Sequence, residues 1–293
     1  MKTPEIGVGL RPGPTTPPGA TIVSDGPVGI VVPMEEEFLP WRSLVPDLEK
    51  VAGCGPWELF EGYAGSQPVA IVVSDCGPVN AAAALERLIV RFAPALVLSG
   101  GSAGAHDPEL LPGDVVVGSR YRILFPPSHQ EERRRLGRHP KGFRFRRDGE
   151  RRHAELLEAP RDLLARAVAT GEEELGLLGP WTGPGWPAGI EHRPGRLRAG
   201  LIGSADTWTT REEELRELRA SYGSLCEDME SAYLAQLSAL HGIPFLSVRT
   251  MSNNELLGPL APHDTAEAIS AAGRRSARVL VRIAADRKRT GPA

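Results

Sequence analysis

Residues 28–32 read VGIVV, and the acidic stretch PMEEE follows them directly at 33–37. A short run of apolar residues with this composition is typical of a strand buried on both faces. Further runs predict strands at 69–74, 95–99, 115–117, 197–202 and 244–248. Because helical patterns lie between several of these runs, the sequence predicts a single α/β domain. We expect this domain to have a mainly parallel or mixed central sheet that is flanked by helices.

Helical patterns occupy residues 79–92, 211–221, 230–241 and 265–285. Thr210 and Glu213 fit a capping box at the start of the second of these helices, because they are three residues apart. Gly242 and Pro244 together form a common stop signal after the third helix.

Residues 1–27 are rich in proline and glycine, and we expect them to be a disordered leader that the fold does not need. The ordered domain is expected at 28–287, with a short tail at 288–293. Residues 119–195 differ in composition and are interpreted as an insertion with one helix at about 161–170. Twelve basic residues fall between Arg120 and Arg152, and such a run is most often a solvated surface.

The composition excludes several classes of function. The chain has 293 residues and a formal net charge of −3, which argues against a general nucleic-acid binder. No stretch approaches the ~20 consecutive apolar residues of a membrane span. The three cysteines, Cys54, Cys76 and Cys226, have no metal-site spacing and are odd in number. We therefore expect a cytoplasmic protein without a disulfide framework or a metal site.

Polar residues follow several predicted strands, where open parallel sheets bind their ligands. Each group also has an ordinary structural explanation. The acids at 35–37 and 227–230 suit helix N-termini, the glycines at 100–104 suit a tight turn, and the polar residues at 249–254 suit a loop. Taken one at a time, none of these groups decides the function.

Their combination and order are more specific. The motifs IVVPMEEEF, SGGSAGA followed by PGDVVVG, IGSADTW, EDMESA and SVRTMSN together resemble the purine nucleoside phosphorylase superfamily. The branch most similar to this chain comprises the methylthioadenosine/S-adenosylhomocysteine nucleosidases and the futalosine hydrolases. The resemblance runs from Val28 to Ala285, interrupted by residues 119–195. It implies a three-layer nucleoside phosphorylase-like fold, a small-molecule purine nucleoside as substrate, no cofactor and a homodimer.

The resemblance also implies roles for individual residues. Glu37 matches the glutamate that activates water, and Ser102 matches a residue that lines the ribose and base site. Trp208 matches the aromatic residue that stacks on the base. Met229 and Glu230 match the residues that pack on the sugar and bind its hydroxyls.

Ser252 and Asn253 match the pair at the edge of the purine, and here the chain departs from part of the family. The adenine-handling nucleosidases have an aspartate at this position that protonates N7, whereas the futalosine hydrolases have Ser-Asn. An asparagine supplies no proton. It can donate a hydrogen bond to N7, and it can either accept from N6 or donate to O6. Both a 6-amino and a 6-oxo base therefore stay open.

Three alternatives remain for the reaction itself. Hydrolysis is favoured over phosphorolysis, because three carboxylates after the first strand would repel phosphate. The arginine-rich insertion could restore an anion site, or place an arginine at the 5′ end of the substrate. A non-catalytic nucleoside-binding relative would be expected to lose Glu37 or Glu230, and both are present.

Overall fold

The computed structural model describes residues 26–52, 55–138, 141–147 and 149–287. The strands are β1 (Val28–Val32), β2 (Glu49–Val51), β3 (Glu58–Ala64), β4 (Gln67–Val73), β5 (Leu96–Ala105), β6 (Val115–Ile123), β7 (Phe143–Arg147), β8 (Glu150–Ala154), β9 (Leu157–Glu158), β10 (Leu197–Ser204), β11 (Ser224–Asp228) and β12 (Phe245–Asn253). The helices are α1 (Glu35–Phe38), α2 (Trp41–Leu44), α3 (Pro78–Phe92), α4 (Pro127–Arg135), α5 (Arg161–Leu177), α6 (Glu212–Tyr222), α7 (Ser231–His241) and α8 (Thr265–Ala285), with a 3₁₀ turn at Pro262–Asp264.

The described strands form one 10-stranded mixed sheet and a separate hairpin of β7 and β8. The large sheet has the order β11-β10-β6-β12-β5-β1-β4-β3-β2, with β9 paired to β6. Strand β1 is completely buried and runs parallel to both β4 and β5, with Ile30 opposite Ile71 and Leu98. Strand β12 is parallel to β5 on its other side. The predicted α/β class with a mixed central sheet is confirmed.

Helices cover the sheet in two groups. Helices α3 and α7 pack against each other, and helices α1, α5 and α8 form the second group. Each group also packs on strands of the large sheet, which gives the expected three layers. The long helix α8 contacts both β5 and β12, the two strands in the middle of the sheet. None of the described helices is both long and apolar enough to cross a bilayer.

Several predictions need correction. The glycines at 100–104 continue strand β5 and do not form a turn. Helix α6 begins at Glu212 without a side-chain cap, so the capping box of Thr210 and Glu213 is not formed. No apolar run marks strand β11, because two of its five residues are acids, although the acids at 227–230 were placed at a junction between a strand and a helix. The predicted leader, apart from residues 26 and 27, and the tail lie outside the described residues.

The insertion is also more structured than expected. Besides α5, which extends to Leu177, the described part of residues 119–195 contains α4, the hairpin of β7 and β8, and β9. Its first residues, 119–123, belong to β6 and pair with β10. Helix α5 packs against α8 and β10, so this part of the segment belongs to the helical layer.

Candidate active site

The candidate residues converge because of the strand order. Glu37 follows β1, Ser102 lies in β5 and Asn253 ends β12. These three strands are adjacent and parallel, so their carboxyl ends meet at one edge of the sheet, where ligands bind in such folds. Glu230 joins them from the junction between β11 and α7.

The Glu37 carboxylate is buried and firmly held. Its Oε1 atom accepts hydrogen bonds from the Ser102 backbone nitrogen at 2.6 Å and from Ser102 Oγ at 2.8 Å. Its Oε2 atom accepts from the Met34 nitrogen at 3.3 Å. Burial raises the pKa of Glu37, and Arg249 and the Ser102 bonds partly oppose the shift. A carboxylate with a raised pKa is a better proton acceptor than an exposed one.

Arg249 connects the acidic groups of the site, and sequence reasoning assigned it no role. Its side chain is 1 % exposed. Its Nε atom lies 2.7 Å from Asp228 Oδ2, and one terminal nitrogen lies 3.3 Å from Glu230 Oε2. The same nitrogen donates to Ser99 Oγ at 3.2 Å. Burying an arginine costs free energy unless carboxylates pair with it, so the arginine and the acids depend on each other.

Asp228 is the second residue that sequence reasoning missed. Its Oδ1 atom accepts from Ser204 Oγ at 2.5 Å and from the Ser231 nitrogen at 3.1 Å. Ser231 Oγ donates to its other oxygen. Asp228 therefore fixes the first turn of α7 while pairing with Arg249. The EDMES motif contained the signal, because three acids at the end of a buried strand require a cation nearby.

Glu230 is held between Gly77 and Arg249. The Gly77 nitrogen donates to its Oε1 atom at 3.0 Å. Burial raises the pKa of Glu230 to about 7, with a further contribution from Asp228 and with Arg249 opposing it. This carboxylate thus changes its charge near neutral pH, at the place where the resemblance puts the sugar.

The glycines of SGGSAG have a packing explanation. A Cβ atom on Gly101 would lie 2.7 Å from both Glu37 carboxylate oxygens and 2.8 Å from an Arg249 terminal nitrogen. A Cβ atom on Gly100 would lie 2.3 Å from Leu280 of α8. The glycines let Glu37, Arg249 and α8 approach the backbone of β5, which is the physical reason that a strand replaces the expected turn.

A narrow pocket lies beside the cluster of Arg249 and its carboxylates. The residues that line it are Gly104, Ala105, His106, Trp208, Thr209, Leu215, Glu227, Asn253 and Glu255. Trp208 is 44 % exposed, and its indole nitrogen lies 3.5 Å from the position of a Cβ atom on Gly104. An exposed indole above a glycine-lined strand offers a flat apolar surface to a ring.

Asn253 and Glu227 are two buried polar groups of this pocket that hydrogen bonds hold in place. Ser252 Oγ donates to Asn253 Oδ1 at 2.8 Å, and Asn253 Nδ2 donates to Glu255 Oε1 at 2.9 Å. The Glu227 carboxylate accepts from the Thr209 nitrogen at 2.7 Å and from Thr209 Oγ1 at 3.0 Å. These contacts fix one edge of the pocket and the loop that carries Trp208.

The structure thus brings the sequence-predicted residues into two neighbouring groups. Glu37 and Ser102 are in direct contact, and Glu230 joins them through Arg249. Trp208, Ser252 and Asn253 gather at the pocket, while Met229 lies half-buried between β11 and α7. Among the described residues, no group of His, Cys, Asp or Glu side chains is arranged to hold a metal ion.

Comparisons with known proteins agree with this architecture. The family model described as the phosphorylase superfamily matches residues 27–285. The chain therefore belongs to the phosphorylase superfamily. Among curated relatives, a 5′-methylthioadenosine/S-adenosylhomocysteine nucleosidase from Colwellia psychrerythraea is 28 % identical over 258 residues, which cover 87 % of this chain and 94 % of the relative.

Two solved structures show the same fold. The 5′-methylthioadenosine/S-adenosylhomocysteine nucleosidase from Neisseria meningitidis, in complex with methylthio-immucillin-A, has a TM-score of 0.68 at 21 % identity; the match covers 89 % of this chain and 99 % of that one. The futalosine hydrolase of Helicobacter pylori has a TM-score of 0.68 at 21 % identity, and the match covers 88 % of this chain and 97 % of that one. The predicted resemblance to both branches is confirmed.

Proposed function

We propose that this protein hydrolyses the N-glycosidic bond of a purine nucleoside and releases the free base and the sugar. One observation carries the proposal: two buried carboxylates, Glu37 and Glu230, flank one buried arginine, Arg249, directly beside an aromatic pocket. This combination suits cleavage of a nucleoside, because carboxylates stabilise the sugar as it becomes cationic while the base leaves with the bonding electrons.

In the proposed mechanism, Glu37 binds the attacking water and accepts its proton, which suits its raised pKa. Glu230 accepts hydrogen bonds from the sugar hydroxyls, and its negative charge stabilises the positive charge that develops on the sugar. Met229 and Ser102 line the sugar. Trp208 stacks on the base, and Asn253 donates a hydrogen bond to it as it leaves.

Water is the nucleophile that the electrostatics favour. Within the described residues, Asp228 and Glu230 both form their ion pairs with Arg249. The positive charge of Arg249 is therefore already balanced by carboxylates. A phosphate ion placed next to Glu37 and Glu230 would face two further negative charges at short range. The arrangement therefore supports hydrolysis over phosphorolysis.

For the substrate, the curated relatives favour a purine nucleoside with a modified 5′ carbon, of the methylthioadenosine or S-adenosylhomocysteine type. A 6-oxopurine nucleoside, such as the substrate class of futalosine hydrolase, is the second candidate. The observation that favours it is Asn253, since an amide at this position has no proton to give to an adenine leaving group.

The test is a panel of methylthioadenosine, S-adenosylhomocysteine, adenosine, inosine and futalosine. Base release is followed by chromatography, with and without phosphate. We expect release of free base that does not depend on phosphate. Release only with phosphate, together with a sugar phosphate as product, would contradict hydrolysis. Binding without release of base would identify a non-catalytic relative.

We also propose a homodimer and a cytoplasmic location. Helix α3 exposes Val79 at 77 % and Val90 at 69 %, and their spacing of 11 residues, about three turns, puts both on one face. Leu240 of the adjacent helix α7 is 38 % exposed. Light scattering tests the dimer, since the double substitution Val79→Glu and Val90→Glu should dissociate it.

A cytoplasmic protein keeps its cysteines reduced. Thiol titration of the native and the unfolded protein therefore tests the proposed location, because it shows whether the cysteines are free.

A further inference from the structure

The orientation of the Asn253 amide is determined by its neighbours. A carboxylate only accepts hydrogen bonds, so the Asn253 group that lies 2.9 Å from Glu255 Oε1 is the NH₂ group. The amide oxygen then faces Ser252 Oγ, which donates to it at 2.8 Å. Asn253 is 1 % exposed, so few alternative partners compete. The amide therefore presents its second N–H, and not its oxygen, to a base in the pocket.

Glu255 itself also faces the pocket. Its hydrogen bonds within the described residues both involve Oε1, which accepts from Asn253 and, at 3.5 Å, from the Leu260 nitrogen. The other pocket carboxylate, Glu227, already receives two hydrogen bonds from Thr209, one on each oxygen. Glu255 thus has an oxygen to offer to a ligand, whereas Glu227 is occupied with the loop of Trp208.

We propose that Glu255 sets the base preference of the site, and that this preference is for 6-oxopurine nucleosides. The inference rests on the proposed function. A 6-oxopurine presents two acceptors, N7 and O6, and next to them a donor, N1–H. The second N–H of Asn253 donates to one of these acceptors, and Glu255 accepts from N1–H while it holds the amide in place. Adenine presents an acceptor at N1, which a carboxylate repels, and its amino group meets an N–H donor.

The experiment compares substrates that differ only in the base. The pairs are inosine with adenosine, and 5′-methylthioinosine with 5′-methylthioadenosine, so that the 5′ group is the same within each pair. The wild-type protein should have the higher kcat/KM on the 6-oxo member of both pairs. 1-Methylinosine keeps O6 and lacks the N1 proton. It should be hydrolysed about 10- to 100-fold less efficiently than inosine, the range expected for losing a hydrogen bond to a charged group.

The variant Glu255→Gln preserves shape and removes the charge. It should lower the preference for inosine over adenosine by about 10- to 100-fold, and it should reduce activity on 1-methylinosine, which cannot make the contact, less than activity on inosine. Glu213→Gln is the matched control, because the Glu213 side chain is 90 % exposed on α6. It should leave all ratios unchanged. Thermal unfolding of each variant shows whether Glu255→Gln disturbs the fold.

The outcomes separate the two proposals. If the wild-type protein prefers adenosine, or treats inosine and 1-methylinosine alike, the role of Glu255 is overturned while hydrolysis stands. If no nucleoside is cleaved, the proposed function fails, and calorimetry with free hypoxanthine and adenine then tests the inference. Tighter binding of hypoxanthine that is lost in Glu255→Gln supports it, and equal binding of the two bases contradicts it.

Discussion

The arginines of this chain occupy two contrasting environments. Arg249 is a single cation, 1 % exposed, among Glu37, Asp228 and Glu230. The basic run between Arg120 and Arg152 supplies twelve cations, and most of those described, such as Arg144 and Arg146, lie exposed. Removing one partner of a buried ion pair costs several kcal/mol, whereas an exposed pair is worth about 1 kcal/mol or less. The number of charges in a region therefore says little about how much they contribute to the stability of the fold.

The largest effect is expected from Arg249→Met. This variant leaves three carboxylates buried without their cation, so the free energy of unfolding should fall by about 3–5 kcal/mol. Urea denaturation measures the change. Arg146→Met is the matched control and should stay within about 0.5 kcal/mol of the wild type. If both variants were equally stable, the contrast between the two environments would be wrong.

Glu37→Gln should abolish turnover and leave nucleoside binding nearly unchanged, because it removes the base for water and keeps the shape of the site. Steady-state kinetics and calorimetry separate the two effects. Glu36→Gln is the control, since Glu36 is the exposed neighbour. A Glu37→Gln protein that retained more than about a tenth of wild-type kcat, a barrier change below ~1.4 kcal/mol, would show that Glu37 is not the base.

The pH dependence should follow from the raised pKa values of Glu37 and Glu230. Both carboxylates must be ionised for the proposed mechanism, so kcat/KM should fall as the pH drops through about 7. The folded protein binds these protons more tightly than the unfolded chain. Acidification from 7 toward 4.5 should therefore not cost stability through these two groups. Activity that stayed constant down to pH 5, measured with a folded protein, would contradict the assignment.

The smallest effect is expected in the insertion. Replacing Arg144 and Arg146 by glutamine should not change the ratio of kcat/KM for S-adenosylhomocysteine to that for methylthioadenosine. Nor should salt change this ratio, because we expect these exposed side chains to be solvated and to make no charge pair with the 5′ group that salt could screen. Kinetics at low and high salt check this expectation. A ratio that fell with salt in the wild type, and not in the variant, would place these arginines at the 5′ end of the substrate.

The sequence alone predicted the parallel centre of the sheet well, because β1, β4, β5 and β12 are apolar runs whose burial leaves few alternatives. No such run marks β11, where Glu227 and Asp228 are buried acids, and the turn expected at residues 100–104 was wrong, because the glycines there serve close packing. These failures share a cause: the partners that make an acid or a glycine acceptable there, such as Arg249 for Asp228 and Leu280 for Gly100, are distant in sequence.

The sequence motifs indicated some residues of the candidate site and not others, and the roles of these residues stay predictions. Glu37, Glu230 and Asn253 came from motifs, and the structure places all three along one edge of the sheet. Arg249 and Asp228 lie within the same motifs and received no role, because their importance depends on a pairing between two strands that a linear pattern does not contain. Glu255, for which we propose a role, received none from the sequence, because nothing in its surroundings in sequence distinguishes it from a loop residue.

The contact between α8 and α1 has a consequence for biosynthesis. A Cβ atom on Gly273 would lie 2.6 Å from the Cα atom of Glu37, so α8 packs directly on the backbone of the candidate base. Glu37 is translated more than 200 residues before α8. Because a segment can dock only after it has left the ribosome, Glu37 reaches its final position only after α8 has been synthesised. A nascent chain that stops before α8 should therefore cleave no nucleoside.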